Sequence, residues 1–352
     1  MKRLYRLIQA FIGVFIPHER KARVNIGILQ KIRLWRRGFY ANKYILYRLD
    51  RNSPKHYLSD YDRVMKTSKV NSFYKVMLDD KLYFSLMMKK LGDYVPEVYG
   101  VITNGEVHFF DNKKKDHRAG IVEFVRENRR VVLKPQKGGG GRGVMVAACE
   151  NGNILLNGRE IPDDEFLSVV KGLKHYLVCE FIHQHRYASA IFPHTPNSIR
   201  IVTMWDDETG SPFIAGAVHR FGCTATIPVD NFSQGGASAK VDLQSGRLEK
   251  IALVINDKLV FGEKHPETGE AVEGVTIPHW ETVTASILDL AGTLKFLPLI
   301  GWDVIVTEKS LKLVEANSYP DVDILQTHSV ILDDPRIRNF YRNWGVIKGK
   351  KR

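Results

Sequence analysis

The chain has 352 residues, 44% hydrophobic and 26% charged, which is typical of a globular protein with room for two or three packed units. Its net charge of +13 is concentrated in residues 1–55, where 14 Lys and Arg face only Glu19 and Asp50, while the rest carries 38 basic and 37 acidic side chains. This neutral body, without an RNA- or DNA-binding motif, argues against nucleic acid as a partner. Three separated cysteines with no CxxC pair suit a reducing cytoplasm.

Residues 1–55 are predicted to form basic, mostly helical segments. An amphipathic helix is expected at the start, because six apolar residues fall on one helical face beside three basic ones. The apolar residues are Leu4, Leu7, Ile8, Phe11, Ile12 and Phe15, and the basic ones are Lys2, Arg3 and Arg6. Such a helix either lies in a membrane interface or docks on the body of the protein. The apolar run is too short to span a membrane, for which about 20 residues are needed.

The rest of the chain predicts an α+β fold. One helix is expected over residues 71–92, capped by Asn71 or Ser72 and ended by Gly92. From residue 130 onward strands dominate, with helices over 163–173, 279–294 and 334–344. Adjacent strands joined by short turns indicate hairpins rather than a doubly wound parallel sheet.

A run of four glycines stands in "VVLKPQKGGGGRGVMVAA", residues 131–148. A Walker A loop or a Rossmann turn would open a helix, but "GVMVAA" reads as a strand. A protein kinase would place its lysine after the loop. A flexible β-hairpin remains, whose backbone amides can close over phosphates. Alternation places Val132 and Lys134 on one face of the first strand and Val131 and Leu133 on the other.

A second hairpin is predicted in "GWDVIVTEKSLKLVEAN", residues 301–317, with its turn at 308–310. This turn sets Thr307 opposite Leu311 and Ile305 opposite Leu313, and it brings Asp303 opposite Glu315. Directly opposed like charges are unfavourable in a sheet, unless a divalent cation lies between them. With Asn317 on the same face, the set offers hard oxygen ligands suited to Mg²⁺. Trp302, Val304, Val314 and Ala316 are expected on the apolar face.

At this point the chain resembles the sugar-transfer-associated branch of the ATP-grasp superfamily. Six stretches occur in the family's order: "DDKLYFSLMMKKLGDYVPEV", "VVLKPQKGGGGRGV", "YLVCEFIHQH", "NSIRIVT", "NFSQGGASAKVD" and "GWDVIVTEKSLKLVEANSYP". The resemblance covers about residues 70–330. It implies an ATP-grasp fold, in which two α+β subdomains grip ATP, behind a basic helical N-terminal segment.

The resemblance also implies roles for individual residues. Lys81 and Lys134 would neutralise the α- and β-phosphates, and Asp303, Glu315 and Asn317 would hold Mg²⁺. The loop would cover the β- and γ-phosphates with Lys137, Gly138, Gly139, Gly140, Gly141, Arg142 and Gly143. The adenine edge would meet Glu180 and the backbone of Phe181 and Ile182, and the ribose Gln184 or His185. Arg200 would act in catalysis with Lys134 and Arg142, and it would bind substrate near Asn197, Gly235, Gly236 and Lys240.

The domain organisation expected from these motifs has five parts. They are a basic segment (1–70), a part with the first lysine helix (71–128), a glycine-loop subdomain (129–183), a subdomain with the magnesium site (184–330), and a C-terminal helix with a basic tail (331–352). The implied function is an ADP-forming carboxylate–amine ligase that uses ATP and Mg²⁺ and acts through an acyl phosphate.

The expected setting is surface-polysaccharide or capsule synthesis in the cytoplasm, with a saccharide or lipid-linked saccharide as one substrate. A peripheral position on the inner face of the membrane is expected if residues 1–55 contact anionic lipid. Two alternatives stay open. One is a ligase of the same fold that joins amino acids or peptides, and the other is a non-catalytic ATP-binding scaffold of a membrane synthase.

Overall fold

The protein is described by a computed structural model that covers residue 19 and residues 24–111 and 119–348. The amphipathic helix predicted near the N-terminus therefore lies outside the described residues. Within the described part, fourteen strands form two seven-stranded sheets in which every pairing between strands is antiparallel. The predicted α+β class is confirmed.

Short helices precede the first sheet. They are α1 (Ile28–Trp35), α2 (Lys43–Leu46), α3 (Asp60–Met65), α4 (Val76–Asp79) and α5 (Lys81–Lys89), with 3₁₀ turns at Pro54–His56 and Thr67–Lys69. The single helix predicted over 71–92 is wrong. Asp80 has an extended backbone and breaks it, because its carboxylate caps α5 by accepting hydrogen bonds from the amides of Leu82 and Tyr83. Asn71 caps nothing and donates instead to the carbonyls of Leu299 and Ser318.

The first sheet lies between residues 98 and 180. Its strands are β1 (Val98–Thr103), β2 (Glu106–Phe109), β3 (Arg130–Pro135), β4 (Met145–Glu150), β5 (Asn153–Leu156), β6 (Arg159–Ile161) and β7 (Tyr176–Glu180), in the order β2-β1-β7-β3-β4-β5-β6. Helices α6 (Gly120–Asn128) and α7 (Asp163–Lys171) contribute to the core on one face. Val131 and Leu133 are fully buried there, as their alternation predicts, so Val132 and Lys134 face the other side.

The second sheet lies between residues 199 and 317. Its strands are β8 (Ile199–Asp206), β9 (Ser211–Phe221), β10 (Ala237–Val241), β11 (Leu248–Ile255), β12 (Lys258–Gly262), β13 (Leu299–Val306) and β14 (Leu311–Asn317), in the order β12-β11-β10-β9-β8-β13-β14. The remaining helices are α8 (Arg186–Ile191), α9 (Trp280–Thr293), α10 (Asp323–His328) and α11 (Pro335–Asn343), with 3₁₀ turns at Thr224–Thr226, Phe232–Gln234 and Ile331–Asp333.

Both faces of the second sheet are covered. Helix α9 buries Trp302 and Val304 on one face, while α11 packs on Val202 and Met204 on the other. The helices predicted over 163–173, 279–294 and 334–344 are confirmed as α7, α9 and α11, each with ends within two residues of the prediction. Arg200 is a charged residue on β8, and the residues on either side of it in that strand are buried. A charge at such a position indicates a functional role for this part of the sheet.

Candidate active site

A cavity of about 650 Å³ lies between the two sheets and receives side chains from both. Its first-sheet wall is mostly apolar and includes Val132, Val144, Val146 and Cys179, beside the strand end at Glu180. Its second-sheet wall is charged and includes Arg200, Arg220, Asp303 and Glu315. A cavity with an apolar slot beside a charged floor fits a ligand with a flat apolar part and an ionic part.

Two lysines enter this cavity from the N-terminal side and the first sheet. Lys81, at the start of α5, lies 3.2 Å from the carboxylate of Glu315 and donates to the carbonyl of Gly138 at 2.6 Å. Lys134, on β3, donates to the carbonyl of Val314 at 3.2 Å. Both ammonium groups therefore contact β14. The structure thus brings the two predicted phosphate-binding lysines to the strand that carries Glu315 and Asn317, two of the three predicted metal ligands.

The β13–β14 hairpin sets Asp303 opposite Glu315, as the sequence predicts, but through a different register at the turn. Val306 pairs with Leu311 and Ile305 with Lys312, so the predicted pairs Thr307–Leu311 and Ile305–Leu313 are wrong. A β-bulge at Val314 absorbs the offset, because Val304 pairs with Leu313 and Asp303 with Glu315.

The bulge also changes which way Val314 faces. Trp302, Val304 and Ala316 are buried on the apolar face as predicted, whereas Val314 lines the cavity. Its carbonyl is the acceptor for Lys134.

Asp303 is held by two arginines. Arg200, its partner across β8 and β13, binds both carboxylate oxygens at 2.5 and 3.1 Å, and Arg220 contacts one of them at 3.1 Å. Burial alone would raise the pKa of Asp303, but the two guanidinium groups outweigh it and hold the pKa well below its usual range. Asp303 is therefore a permanent anion at neutral pH.

Arg220 is a site residue that the sequence reasoning missed. It lies 3.5 Å from the carboxylate of Asp230 and donates to the hydroxyl of Ser198 at 3.1 Å, while Ser198 itself donates to Asp230 at 2.5 Å. Burial lowers the pKa of Arg220, but Asp230, Asp303 and Glu315 raise it further, so the charge is fixed. A charged residue in the apolar strand "FIAGAVHRFG" was the available signal, whereas Arg200 was expected from the family resemblance.

The glycine loop closes one side of the cavity. Gly140 and Gly141 line it, and the carbonyl of Gly140 accepts from Asn231 at 2.6 Å and from Gln234 at 2.7 Å. Gly141 has a φ of +70°, and a Cβ there would lie 2.8 Å from Val229, so only glycine fits this approach. The other predicted loop residues are exposed. Lys137 is 3.7 Å from Asp80, and Arg142 lies outside the cavity wall.

The strand end at residues 180–182 borders the apolar slot. Glu180 pairs with Glu97, through its own amide at 2.8 Å and through its carboxylate, which accepts from the Glu97 amide at 3.0 Å. Phe181 and Ile182 follow in the cavity wall, and within the described residues neither donates a backbone hydrogen bond. Their amides are free to meet the edge of a base, the role that the sequence predicts.

Besides the exposed loop residues, five further predicted contacts lie outside the cavity wall, namely Gln184, His185, Asn197, Gly236 and Lys240. Gln184 donates to the carbonyls of Phe192 and Thr195, and His185 caps α8 by accepting from the Tyr187 amide, so neither is turned toward a ribose. Asn197 donates to the carbonyls of Ala188 and Phe192.

Lys240 is paired with Glu249 at 2.7 Å, and Gly236 packs against the backbone of Asn231. Gly235, which also belongs to the predicted substrate set, does line the cavity. The sequence around these residues gives no sign of which of them face the cavity and which do not.

The donor set fits Mg²⁺ and a polyphosphate. Asp303, Glu315 and Asn317 supply two carboxylates and an amide oxygen on paired strands. These three would hold the ion. The buried amide nitrogen of Asn317, a donor rather than a metal ligand, has no hydrogen-bond partner within the described residues and is available to a phosphate oxygen. Four cations, Lys81, Lys134, Arg200 and Arg220, face the carboxylates of Asp303, Glu315 and Asp230, which leaves one excess positive charge for an anionic ligand.

No helix within the described ranges is both long and apolar enough to cross a membrane. Those ranges also contain no cluster of three His, Cys, Asp or Glu side chains placed to bind a metal, so the candidate Mg²⁺ site depends on the amide of Asn317 beside two carboxylates.

Comparison with solved structures finds synthetases and ligases of low sequence identity. A D-alanyl-alanine synthetase A from Vibrio cholerae is 11% identical, with a TM-score of 0.45, and the match covers 76% of this chain and 64% of that one. A D-alanine–D-alanine ligase from Helicobacter pylori is 14% identical, with a TM-score of 0.42 and coverages of 76% and 60%. The ADP complex of an N5-carboxyaminoimidazole ribonucleotide synthetase is 12% identical, with a TM-score of 0.37 and coverages of 70% and 46%.

The chain thus spans less than two thirds of each of these three structures. No curated protein sequence matches it. The family model described as "sugar-transfer associated ATP-grasp" matches residues 63–336, more than three quarters of the chain. This match confirms the predicted ATP-grasp fold. The chain belongs to the sugar-transfer associated ATP-grasp family.

Proposed function

We propose that this protein is an ADP-forming ligase that joins a carboxylate to an amine through an acyl phosphate. One observation carries the proposal, namely the meeting of two lysines, two arginines and two opposed carboxylates in a single cavity beside an apolar slot. Phosphoryl transfer depends on positioning and charge neutralisation more than on covalent help from the protein, and this set provides both.

In the first step, a carboxylate oxygen of the substrate attacks the γ-phosphorus of ATP, and the bond to the β-phosphate oxygen breaks to release ADP. In the second step, the lone pair of an amine attacks the acyl carbon. The carbon–oxygen bond to phosphate then breaks, phosphate leaves with the electron pair, and the nitrogen loses a proton. Bound Mg²⁺ would neutralise phosphate charge during the transfer.

The residues of the chain have separate tasks in this scheme. Lys81 and Lys134 bind the phosphates from the side of the first sheet. Arg200 and Arg220 orient the substrate carboxylate and the acyl phosphate, since both guanidinium groups are held in position by Asp303 and are little exposed. Gly140 and Gly141 keep water from the acyl phosphate, which would otherwise hydrolyse.

For the substrates, we propose an amino acid or amine and the carboxyl group of a sugar acid, in the synthesis of a surface polysaccharide. The family's description as associated with sugar transfer supports this choice. A ligase that joins two amino acids or peptides is the second candidate. A non-catalytic scaffold is disfavoured because the cations and carboxylates of the cavity are all present and in contact.

We propose the same five-part organisation as the sequence suggests. The first sheet then takes β1 and β2 from the part over 71–128 and its other five strands from the glycine-loop subdomain, and the second sheet lies in the subdomain with the magnesium site. We also propose a cytoplasmic location, with residues 1–55 holding the protein on the inner membrane face. The net charge of +12 in that segment supports electrostatic attraction to anionic lipid.

A substrate screen tests the proposal. Full-length protein with ATP and Mg²⁺ is incubated with carboxylates (amino acids, glucuronate and galacturonate) and with amines, and both ADP release and product mass are read. We expect ADP formation that needs a carboxylate, with a product of one amide bond. Amide products from amino acids alone would favour the second candidate. ADP release that ignores the carboxylate, or none with any carboxylate, would refute the ligase.

A further inference from the structure

The cavity continues well beyond the phosphate-binding residues. The sheet order runs from β14, which carries Glu315, through β13, β8, β9 and β10 to β11, which carries Val254. Five steps between neighbouring strands span about 24 Å. The far end therefore has room for a second substrate, beyond the place of the nucleotide.

Three elements wall the far end. One is helix α2 with the residue before it, which supplies Asn42, Ile45 and Leu46. Another is the turn before α10 together with the first residue of that helix, which supply Asp321 and Asp323. The third is the β11–β12 hairpin, which supplies Val254 and, from its tip, Asp257. Residues 42–46 precede the match to the family model, which begins at residue 63, so this wall is made in part by sequence that the family model does not describe.

The N-terminal wall is fixed to the body by a buried polar network. Lys43, 2% exposed, contacts the carboxylate of Asp323 and lies 3.4 Å from that of Asp60. Tyr47 donates to Asp323 at 2.6 Å, and Gln326 donates to the hydroxyl of Tyr47 at 2.8 Å. Because these contacts are buried and hydrogen-bonded, α2 is held in place beside the cavity.

The charges at this end favour a cation. Three carboxylates, those of Asp257, Asp321 and Asp323, line this end, and no lysine or arginine of the described part of the chain does. Lys43 and Arg63 pair with two of them from outside the lining, and Arg48 lies beside the hairpin. Asp257 makes no ion pair within the described residues. Asn42 offers a further acceptor, since its buried side-chain oxygen has no hydrogen-bond partner in the described structure. The phosphate end of the same cavity is positive, so the two ends suit substrates of opposite charge.

The hairpin tip is a tight turn that fixes the backbone at Asp257. Ile255 pairs with Lys258, which leaves Asn256 and Asp257 as a two-residue turn, with φ of 48° and 57°. Positive φ at both central residues is the mark of a type I′ turn, which Asn and Asp tolerate. Arg48 lies over the ring of Phe261 on β12, at 5.1 Å, and so joins this hairpin to the N-terminal wall.

We propose that this far end is the binding site of the amine substrate, and that residues 42–46 determine which amine is accepted. The inference rests on the ligase function proposed above. Ile45, Leu46 and Val254 contact an apolar part of the amine, while Asp257 and Asp321 attract its ammonium group as it arrives. The amine class is thus a primary amine with an apolar substituent, rather than a second anion.

The test uses hydroxylamine as a matched acceptor. Hydroxylamine is uncharged at neutral pH and has no apolar part, so it can trap the acyl phosphate as a hydroxamate without touching the far end. The full-length protein is assayed with the best carboxylate from the screen, with hydroxylamine or with primary amines from ethylamine to benzylamine. Formation of hydroxamate reports the ligase chemistry alone, so its absence with every carboxylate refutes the proposed function itself.

Two variants then probe the far end. Asp257→Asn keeps a residue that tolerates the turn, and it should raise KM for the amine about 2- to 5-fold, the effect of an exposed charge pair. Leu46→Ala should raise KM for benzylamine about tenfold and that for ethylamine much less, since an apolar contact is lost. Neither should change KM for ATP or the rate with hydroxylamine. Asp289→Asn and Leu243→Ala, which lie outside the cavity, are the matched controls.

Each outcome of this test either supports or overturns the proposed amine site. Selective effects on the amine support the site. Hydroxamate formation with no primary amine accepted would overturn it, as would variants that leave the amine KM unchanged. Equal effects on hydroxylamine and benzylamine would also overturn it, because a general disturbance of the fold acts on both. Melting temperatures of the variants identify such a disturbance directly.

Discussion

The ammonium group of Lys134 donates a hydrogen bond to the carbonyl of Val314, 3.2 Å away, at the residue that bulges from β14. In a regular ladder that carbonyl would face a neighbouring strand, but the bulge turns it toward the cavity. Lys134 thus joins the first sheet to the strand that carries Glu315 and Asn317. A ligand phosphate would compete for this ammonium group, so nucleotide binding and the contact between the sheets are linked.

Lys134→Met should abolish most of the stabilisation that ATP with Mg²⁺ gives to the protein. At a ligand concentration 100 times Kd, the wild type gains about 2.7 kcal/mol, which appears as a rise in melting temperature. Lys250→Met, an exposed lysine outside the cavity, should keep the full rise. Equal rises in the wild type and in Lys134→Met would remove Lys134 from the nucleotide site.

Asp303→Asn should reduce turnover by orders of magnitude and also destabilise the free protein. If Asp303 and Glu315 only repelled each other, removal of one charge would stabilise the metal-free protein. In the structure, however, Asp303 neutralises the guanidinium groups of Arg200 and Arg220. Removing one partner of such a group costs about 3 kcal/mol. Glu315→Gln, whose partner Lys81 is closer to solvent, should lose turnover with a smaller loss of stability.

Chemical denaturation without ligands, with exposed Asp289→Asn as the control, measures both costs. An Asp303→Asn protein as stable as the wild type would mean that the arginines do not depend on this carboxylate.

His219 should make the protein less stable in acid. It is fully buried, accepts or donates one hydrogen bond with Tyr187 at 2.8 Å, and burial lowers its pKa to about 3. The unfolded chain has the ordinary pKa of about 6.5. Stability from the neutral ring is therefore complete above that value and is lost as pH falls from there toward 3, with a slope of up to about 1.4 kcal/mol per pH unit.

His219→Gln should show a smaller loss of unfolding free energy between pH 7 and 5 than the wild type. His194→Gln, at an exposed histidine, should keep the wild-type slope. Parallel pH profiles for wild type and His219→Gln would rule out a neutral, buried His219.

Lys43→Met should destabilise the protein by about 3 kcal/mol, because it leaves the buried Asp60 and the partly buried Asp323 without their shared cation. Lys43 and Arg63 lower the pKa of Asp323 to about 2 against the effect of burial, so loss of Lys43 raises that pKa and removes the stability that the ion pair supplies. The control is Lys55→Met at an exposed position. A Lys43→Met protein with the wild-type denaturation midpoint would show that α2 is held by apolar contacts alone.

Removal of residues 1–18 should weaken binding to anionic vesicles while leaving the ATP-induced rise in melting temperature intact. The cut keeps Glu19, which accepts from the amide of Ala41 at 2.8 Å and so belongs to the folded body. Each Lys or Arg near an anionic surface contributes about 1 kcal/mol, and salt screens it.

Co-sedimentation with phosphatidylcholine vesicles, with and without phosphatidylglycerol, measures the binding at low and high salt. Full-length protein that ignores phosphatidylglycerol at low salt would favour a helix docked on the body.

The sequence carried the parts of the site that depend on local pattern. Alternation identified the faces of β3 and β13, and the glycine run with Lys134 marked the loop. The sequence alone did not predict the register between paired strands or the contacts between distant segments. The pairing of Asp303 with Glu315 was expected from a three-residue turn, yet it depends on a bulge at Val314 that has no local signature.

Contacts between distant segments were also beyond the sequence. Arg220, Ser198 and Asp230 meet only because β9 pairs with β8 and the loop after β9 folds back. Likewise Lys43 and Asp323 are 280 residues apart in the chain. A buried lysine in a basic segment looks, by composition, like any other surface charge.

The carbonyl of Gly140 accepts hydrogen bonds from the amides of both Asn231 and Gln234, so the glycine loop is fastened to the opposite side of the cavity. Lifting the loop has to break the two bonds together, and at about 1 kcal/mol each this favours the fastened form by roughly thirtyfold. On this side the loop is held at one peptide group, while Lys81 holds the carbonyl of Gly138 from the N-terminal side. Nucleotide exchange can therefore proceed through brief excursions of the loop alone, while the two sheets keep their mutual position and the far end of the cavity stays assembled between turnovers.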